Sequence, residues 1–181
     1  WTHEHADQVH GIDDLRALVV SRRRRIDSYA DARTMAMLRH RFGYIFERAP
    51  GSPYPPLLNG HVIGGAFRVG AVDILPFEQD HGEMTSLGLR FGPIGYSSDV
   101  VGLSEAAFAA LRGVDVWIVD ALRHEPHPSH AHVAMTLAWI AEIKPKRAIL
   151  TNLHNTLDYA GLSAELPAGV EPAFDGMVVT A

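Results

Sequence analysis

The chain has 181 residues, of which 47% are apolar and 20% are charged, a composition typical of a folded domain and not of a disordered segment. Its 16 basic and 21 acidic residues give a formal net charge of −5, which argues against tight binding to long nucleic acids. Cysteine is absent, so disulfides are excluded and any metal must be bound through nitrogen and oxygen. With no apolar run long enough to span a bilayer and no secretory signal before the first motif, we expect a cytoplasmic protein with no membrane partner.

Apolar periodicity and turn residues predict the elements in chain order. A helix is expected over residues 11–24, a strand over 26–30, a helix over 32–46 and a proline-rich loop over 49–56. Strands are expected over 61–69, 72–78, 87–91, 114–119 and 148–153, with a last strand near 176–180, and helices over 104–111, 131–143 and 156–166. This order fits a layered α/β sandwich in a single domain of residues 1–181.

One basic run, Arg22 to Arg25, lies at the end of the first predicted helix. These side chains could contact a phosphate or an RNA backbone. A solvated helix end is the favoured interpretation, because cations suit the negative end of the helix dipole.

The opening segment, residues 2–14, has the highest density of possible metal ligands in the chain: three imidazoles and four carboxylates. His3 and His5 are two residues apart and can face the same way, and Asp7 continues that alternation. Neutral imidazole and carboxylate are the ligands that zinc, manganese and related divalent ions take. The segment therefore predicts a metal site.

Further ligand types follow apolar segments later in the chain. His81 follows the strand predicted at 72–78, and Asp99 follows Tyr96-Ser97-Ser98 at the end of another strand. Asp120 and His154 follow the strands predicted at 114–119 and 148–153. Functional side chains are commonly delivered by strand ends and loops over a rigid sheet, so we expect these positions to contribute to the same site. For Asp120 the sequence leaves two roles open, orienting a ligand or capping.

The opening resembles the H-x-H-x-D-H signature of the metallo-β-lactamase fold hydrolases. The form H-E-H-A-D-x-x-H-G-I-D-D-L-R is most similar to the PhnP-like branch, which contains phosphoribosyl 1,2-cyclic phosphate phosphodiesterase, and less similar to tRNA 3′-processing endonuclease. Three later segments also match the branch in order: the D-A-L-R at 120–123, the H-P-S-H at 127–130, and His154 with L-D-Y at 157–159.

The resemblance implies a role for each matched residue. His3, His5 and His81 would bind a first ion, Asp99 would bridge, and Asp7 with His154 would bind a second; Gln8, which replaces the last signature histidine, would be a weak ligand at most. The implied cofactor is one or two Zn or Mn ions. Asp7 and His130 would be the catalytic residues, with His130 protonating the leaving oxygen.

The implied fold is a metallo-β-lactamase-like αββα sandwich. The family has strands before its signature, and here the signature begins at residue 3, so we expect the sandwich to be incomplete at its N-terminus and a homodimer to be one way of stabilising it.

The implied function is hydrolysis of a small phosphodiester, such as a cyclic ribose phosphate or a nucleotide, by a metal-bound hydroxide. Three alternatives stay open: a ribonuclease similar to the tRNA 3′-processing enzyme, a metal-binding domain with little or no activity, and a thioester or lactone hydrolase on the same fold.

Overall fold

The computed structural model describes residues 1–180, and the chain divides into two compact units, Trp1–Gly65 and Ala66–Ala181. Each unit has its own apolar core. The expected mixed α/β class is confirmed, whereas the grouping of all residues into one hydrolase domain stays a prediction. No helix within residues 1–180 is long and apolar enough to cross a membrane.

The first unit is a pair of parallel strands with short helices. Its elements are α1 (Ala6–Val9), a 3-10 helix (His10–Asp14), α2 (Leu15–Arg22), β1 (Ile26–Ala30), α3 (Ala32–Arg41), α4 (Gly43–Phe46) and β2 (Leu58–Val62). Asp31 caps α3 by accepting a hydrogen bond from the backbone N–H of Thr34 at 2.8 Å. Because β1 and β2 are parallel, the chain must cross back between them, and α3, α4 and the proline-rich loop form that connection.

The core of the first unit is built from one side of each helix and from the strands. Its fully buried members include Val9, Met35, Leu38 and Ile45. Helix α2 ends at Arg22, and the four arginines that begin there are all exposed, as the interpretation of a solvated helix end expects.

The second unit is an eight-stranded sheet with three helices. Its elements are β3 (Phe67–Val69), β4 (Val72–Asp80), β5 (Thr85–Phe91), β6 (Ile94–Ser97), β7 (Gly102–Leu103), α5 (Glu105–Leu111), β8 (Val116–Asp120), α6 (Val133–Ile143), β9 (Arg147–Thr151), α7 (Tyr159–Glu165) and β10 (Val170–Pro172). The strand order is β10-β9-β8-β6-β5-β4-β3, with β7 paired to β4.

Strand β8 runs through the interior of this sheet, and its Trp117 and Val119 have no exposed surface. They are two residues apart and so share one face, where they join a core that contains Leu111 of α5, Val133 of α6 and Leu162 of α7. Ser104 caps α5 by accepting a hydrogen bond from the backbone N–H of Ala107 at 3.2 Å. The three helices therefore pack on this sheet and hold its strands in place.

Strand directions decide where the site is built. Strands β6, β8 and β9 are mutually parallel, and β4 runs with them because two successive antiparallel pairings, β4 with β5 and β5 with β6, restore its direction. The carboxyl ends of β4, β6, β8 and β9 therefore lie at one edge of the sheet.

Three predicted elements differ from the structure. The predicted strand at 61–69 is two separate strands, β2 and β3, divided by the Gly64-Gly65 step. The predicted helix at 32–46 is interrupted at Phe42, whose φ of −125° and ψ of 36° lie outside helical geometry. No strand forms at 176–180; the last strand is β10 instead, which completes the sheet beside β9.

Candidate metal centre

The shared edge of the second unit carries the four residues that the sequence placed at strand ends. His81 directly follows β4, Asp99 follows β6, Asp120 is the last residue of β8 and His154 follows β9. A parallel arrangement of strand ends collects side chains from distant parts of the chain, so this edge is where a site is expected in an α/β sheet.

Two of these side chains, His81 and Asp99, form a tight group with His130, which precedes α6. One ligand atom each of His81, Asp99 and His130 lies within 4.8 Å of the others. His81 is 1% exposed and Asp99 is 3% exposed, so both are held by the surrounding protein. His130 Nε2 lies 4.0 Å from Asp99 Oδ1, and the rings of His81 and His130 meet edge-on with centroids 4.9 Å apart.

The buried carboxylate of Asp99 shows whether the group could hold a cation. Its Oδ2 atom is buried and has no hydrogen-bond partner within residues 1–180. A buried carboxylate oxygen without a partner is costly, and a divalent ion bound to Asp99 and to the neighbouring imidazole of His81 would remove that cost. The donor set and the unpaired oxygen both fit a divalent metal.

The backbone of Asp99 is also unusual, with a φ of +52° in the left-handed region. Aspartate tolerates this conformation better than most residues, but it still costs free energy and is seen most often where function requires it. The turn it makes ends β6 and directs the carboxylate into the group.

Asp120 orients His130. Its Oδ2 atom lies 2.7 Å from His130 Nδ1 and also accepts a hydrogen bond from the backbone N–H of Val100 at 3.2 Å. Burial raises the pKa of Asp120 above its usual value, although the hydrogen bond with His130 opposes this. A carboxylate behind a ligating or catalytic imidazole fixes the ring orientation, so the orienting role left open for Asp120 is the one the contacts support.

His81 is fixed in the same way by the main chain. Its Nδ1 lies 2.6 Å from the carbonyl oxygen of Ser129, which can only accept, so Nδ1 carries the proton. In the neutral ring Nε2 is then the basic nitrogen, the form that binds a metal.

The loop between β8 and α6 carries His130, which contacts Asp120, and Ser129, whose carbonyl contacts His81. It is closed at its base by two backbone hydrogen bonds, Leu122 N–H to Ala131 O at 2.9 Å and Val133 N–H to Arg123 O at 2.9 Å. The Arg123 guanidinium also donates to the carbonyls at positions 125 and 126. The H-P-S-H segment is therefore a braced structure.

His127 lies on the same loop, with its ring centroid 5.2 Å from that of His130. Loss of solvent around the His127 ring lowers its pKa, and the nearby His130 imidazole lowers it further. His127 is therefore a second imidazole next to the cluster, and its surroundings favour the neutral form of its ring.

The sequence predicts that His154 joins the other strand-end residues in one site, but its side chain is not part of the cluster. It is exposed, its Nδ1 accepts a hydrogen bond from the backbone N–H of Thr156 at 3.3 Å, and it belongs to no group of close ligand atoms within residues 1–180. Its role as a ligand stays a prediction.

In the first unit, His3 and His5 are brought together as the signature predicts. His3 Nε2 lies 3.0 Å from His5 Nδ1, and the buried His3 also contacts the hydroxyl of Thr2 through Nδ1 at 3.1 Å. These contacts fix the two rings edge-on with centroids 4.7 Å apart.

Asp7 and Gln8 form a contact of their own. The Gln8 amide donates to Asp7 Oδ2 at 2.9 Å. Burial alone would raise the pKa of Asp7, but the Gln8 hydrogen bond and the two neighbouring imidazoles bring that pKa below its usual value. Gln8 thus stabilises the ionised form of Asp7, and its role as a weak ligand stays a prediction.

A family model described as the beta-lactamase superfamily domain matches residues 1–152. The chain belongs to this superfamily. Its fold is that of the metallo-β-lactamase-like hydrolases, as the opening motif predicts.

A solved structure described as a new diphosphatase from the PhnP family is similar to this chain, with 32% identity and a TM-score of 0.88 over 97% of this chain and 67% of that one. This similarity confirms the resemblance to the PhnP-like branch. The structure of human tRNase Z, short form, has a TM-score of 0.73 and 15% identity to this chain, and the match covers 99% of this chain and 76% of that one. At that identity it shows the fold alone.

A curated relative from Porphyromonas gingivalis (strain ATCC BAA-308 / W83), named octanoyltransferase, is 28% identical over 183 residues. The match covers 97% of this chain but only 36% of that protein. The chain thus spans about a third of the length of this relative. Because most of that protein lies outside the match, its name does not assign octanoyl transfer to this superfamily domain.

Sequence reasoning missed the residues that hold the side chains of the candidate centre. Ser129 acts through its backbone carbonyl, which no side-chain pattern reveals, and Ser86 and Gln79 lie in strands without a motif. The one available signal was a polar residue at a buried position of a strand, since Gln79 interrupts the apolar face of β4.

Proposed function

We propose that this protein is a metal-dependent hydrolase that cleaves phosphodiester bonds in a small substrate, such as a cyclic ribose phosphate or a nucleotide. The observation that carries the proposal is the group of His81, Asp99 and His130 with its unpaired buried carboxylate oxygen. One or two Zn or Mn ions are the proposed cofactor, because imidazole and carboxylate suit both.

A divalent ion bound there would supply a Lewis acid for phosphoryl oxygens and would lower the pKa of water. The chain's own residues do the positioning. Asp99 and His81 present fixed, buried donor atoms, and Asp120 holds His130 through Nδ1 so that its Nε2 lies on the Asp99 side. From that position we propose that His130 donates a proton to the leaving oxygen.

The ligand roles of His3, His5, Asp7 and His154 are part of the same proposal. They rest on the signature and on the family, with the close His3–His5 pair of the first unit as support. Asp7 is kept ionised by its surroundings, as a ligand for a second ion must be.

The choice of a small substrate rests on charge. A net charge of −5 gives no general attraction for a polyanion, so RNA cleavage is the weaker candidate in the same class. The diphosphatase description belongs to the similar solved structure, and it supports attack at phosphorus rather than at a thioester or lactone. A homodimer and a cytoplasmic location stay predictions.

Elemental analysis and turnover test the proposal together. Full-length protein purified without added metal should contain Zn or Mn and should hydrolyse bis(p-nitrophenyl) phosphate. Asp99→Asn should lose both metal and turnover, because the amide is a neutral and weaker ligand. Asp115→Asn is the matched control: this carboxylate is 39% exposed and pairs with Lys146 at the surface, so metal and turnover should stay at the wild-type level.

Three outcomes would contradict the proposal. Bound metal without turnover on any phosphodiester would identify a metal-binding domain. Cleavage of a tRNA precursor with no activity on small diesters would identify the ribonuclease. Wild-type protein without metal, or Asp99→Asn with unchanged metal content, would remove the proposed centre itself.

A further inference from the structure

A buried polar chain connects two strands of the second unit to the backbone of Asp99. The Ser86 hydroxyl donates to the Asp99 carbonyl oxygen at 2.7 Å. The Gln79 side-chain amide donates to Ser86 Oγ at 3.1 Å and to the carbonyl oxygen of Ser98 at 3.2 Å. Gln79 and Ser86 are each 1% exposed, so these bonds are shielded from water.

The strand register explains how these residues meet. Gln79 of β4 is paired directly with Ser86 of β5. Paired residues of neighbouring strands present their side chains on the same face, so the Gln79 amide lies beside the Ser86 hydroxyl. Leu89 of β5 is paired with Tyr96 of β6, and the segment that leaves β6 continues towards Ser86, whose hydroxyl meets the Asp99 carbonyl.

The contact lies just after β6. The pairing of β5 with β6 ends at Leu89 and Tyr96, β6 ends at Ser97, and Asp99 follows with a φ of +52°. The Asp99 carbonyl is left inside the protein without a backbone partner from β5, and the Ser86 hydroxyl satisfies it. Two side chains therefore bind the peptide that follows Asp99: the Ser86 hydroxyl donates to its carbonyl, and the Asp120 carboxylate accepts from its N–H, which belongs to Val100.

Gln79 carries a cost that a purely structural residue would avoid. Its Oε1 atom is buried and has no hydrogen-bond partner within residues 1–180. The orientation of the amide is fixed, since the Ser98 carbonyl can only accept and must face the NH₂ group. An apolar side chain of similar size would leave no such unpaired oxygen at this position.

Gly88 provides the space that this arrangement needs. A Cβ atom at position 88 would lie 2.6 Å from Gln79 Oε1 and 2.1 Å from the ring of Phe77. The glycine lets both side chains lie over β5. The local packing therefore accommodates a polar side chain at Gln79.

We propose that Ser86 and Gln79 are positioning residues that hold Asp99 in its left-handed conformation and so set the direction of its carboxylate toward His81 and His130. The inference rests on the proposed metal centre for its purpose, and on the hydrogen bonds above for its mechanism. Neither residue touches the ligand atoms of the group, so both act through Asp99.

The test uses cobalt as the probe, with the full chain and four variants. In Ser86→Ala and Gln79→Met the affinity for Co²⁺ should fall by about 10- to 100-fold, as is usual for partners that orient a ligand. The visible absorption of the bound Co²⁺ should also change, since it reports ligand geometry. Ser86→Thr, which keeps a hydroxyl, should restore most of the affinity and the wild-type spectrum.

Two further measurements separate positioning from stability. Val114→Ala, a core change with a 3% exposed side chain outside the polar chain, should lower the melting temperature and leave the Co²⁺ spectrum unchanged. Gln79→Met removes an unpaired buried oxygen but also takes the donor from the Ser98 carbonyl, so its melting temperature should fall less than that of Val114→Ala while its Co²⁺ affinity falls more. A merely structural role would move both quantities together.

A metal-free crystal structure of Ser86→Ala decides the mechanism by itself. Asp99 should leave the left-handed region or lose its fixed carboxylate direction. If Asp99 keeps its φ and carboxylate position, or if Co²⁺ affinity falls no more than in Val114→Ala, the positioning role is overturned. If the wild-type protein binds no Co²⁺, the proposed function is overturned. The metal-free structure of Ser86→Ala still tests the role of Ser86, because it does not depend on metal binding.

Discussion

His130 Nδ1 lies 2.7 Å from Asp120 Oδ2, a carboxylate with no exposed surface. The same oxygen accepts a hydrogen bond from the backbone N–H of Val100, the residue after Asp99. One buried atom therefore links the loop that carries His130 to the turn that carries Asp99. The two parts of the cluster are held relative to each other by Asp120, which is not itself in the group of possible ligands.

Replacing Asp120 by Ala should lower the free energy of unfolding by about 1–3 kcal/mol, since the Val100 N–H and the His130 ring lose a buried acceptor. Release of a buried carboxylate whose pKa is raised offsets part of that loss. Asp115→Ala, at an exposed carboxylate just before the same strand, should change stability by less than about 0.5 kcal/mol. Urea unfolding measures both, and equal losses would show that Asp120 has no special structural role.

His130→Ala should reduce the rate of phosphodiester hydrolysis more than it reduces metal content, if the residue acts as a proton donor. General acid catalysis by a placed side chain typically contributes about 10²–10⁴-fold to the rate. His124→Ala is the matched control, because His124 is an exposed imidazole on the same loop that pairs with Glu165 at 3.2 Å. Rate and metal content falling by the same factor would instead make His130 a ligand, the role that its place in the cluster also permits.

Metal should stabilise the folded protein through the same cluster. At a free metal concentration of 100 times the dissociation constant, binding to the native state alone should add about 2.7 kcal/mol to the free energy of unfolding. Added Zn²⁺ or Mn²⁺ should therefore raise the melting temperature of the wild type, and a chelator should reverse the shift. Asp99→Asn should show little of this response. A wild-type melting temperature that is insensitive to both treatments would argue against a bound ion.

Gly88→Ala should destabilise the second unit by about 1–3 kcal/mol, the usual cost of overpacking. The new methyl group would overlap the Phe77 ring at 2.1 Å and the Gln79 amide at 2.6 Å, so side chains of β4 would have to move. Gly43→Ala is a suitable comparison, because a Cβ there meets nothing within 4 Å and the residue is helical. Differential scanning calorimetry should show a lower melting temperature for Gly88→Ala only; a harmless Gly88→Ala would mean that β4 and β5 repack easily.

Much of the candidate centre could be predicted because its ligand types stand at recognisable places. His81 and Asp99 follow strands whose carboxyl ends meet at one edge, and His3 and His5 have the spacing that brings two imidazoles together. His154 also follows a strand, but the side chain turns back to the Thr156 backbone and stays exposed. The end of a strand fixes the backbone position of a residue, whereas local hydrogen bonds decide where its side chain points.

The sequence by itself determined the superfamily, the residue types available for a metal site and most of the helices and strands, since these follow from residue types, order and apolar period. It did not determine that His61 and Phe67 fall in different strands, or that the last strand is Val170–Pro172, because strand partners are long-range contacts that periodicity does not encode. Only the tertiary structure placed Ser86 and Asp120 against the carbonyl and the N–H of the peptide that joins Asp99 to Val100. Those contacts join positions that are 13 and 20 residues apart, and they exist only once the sheet has aligned its strands.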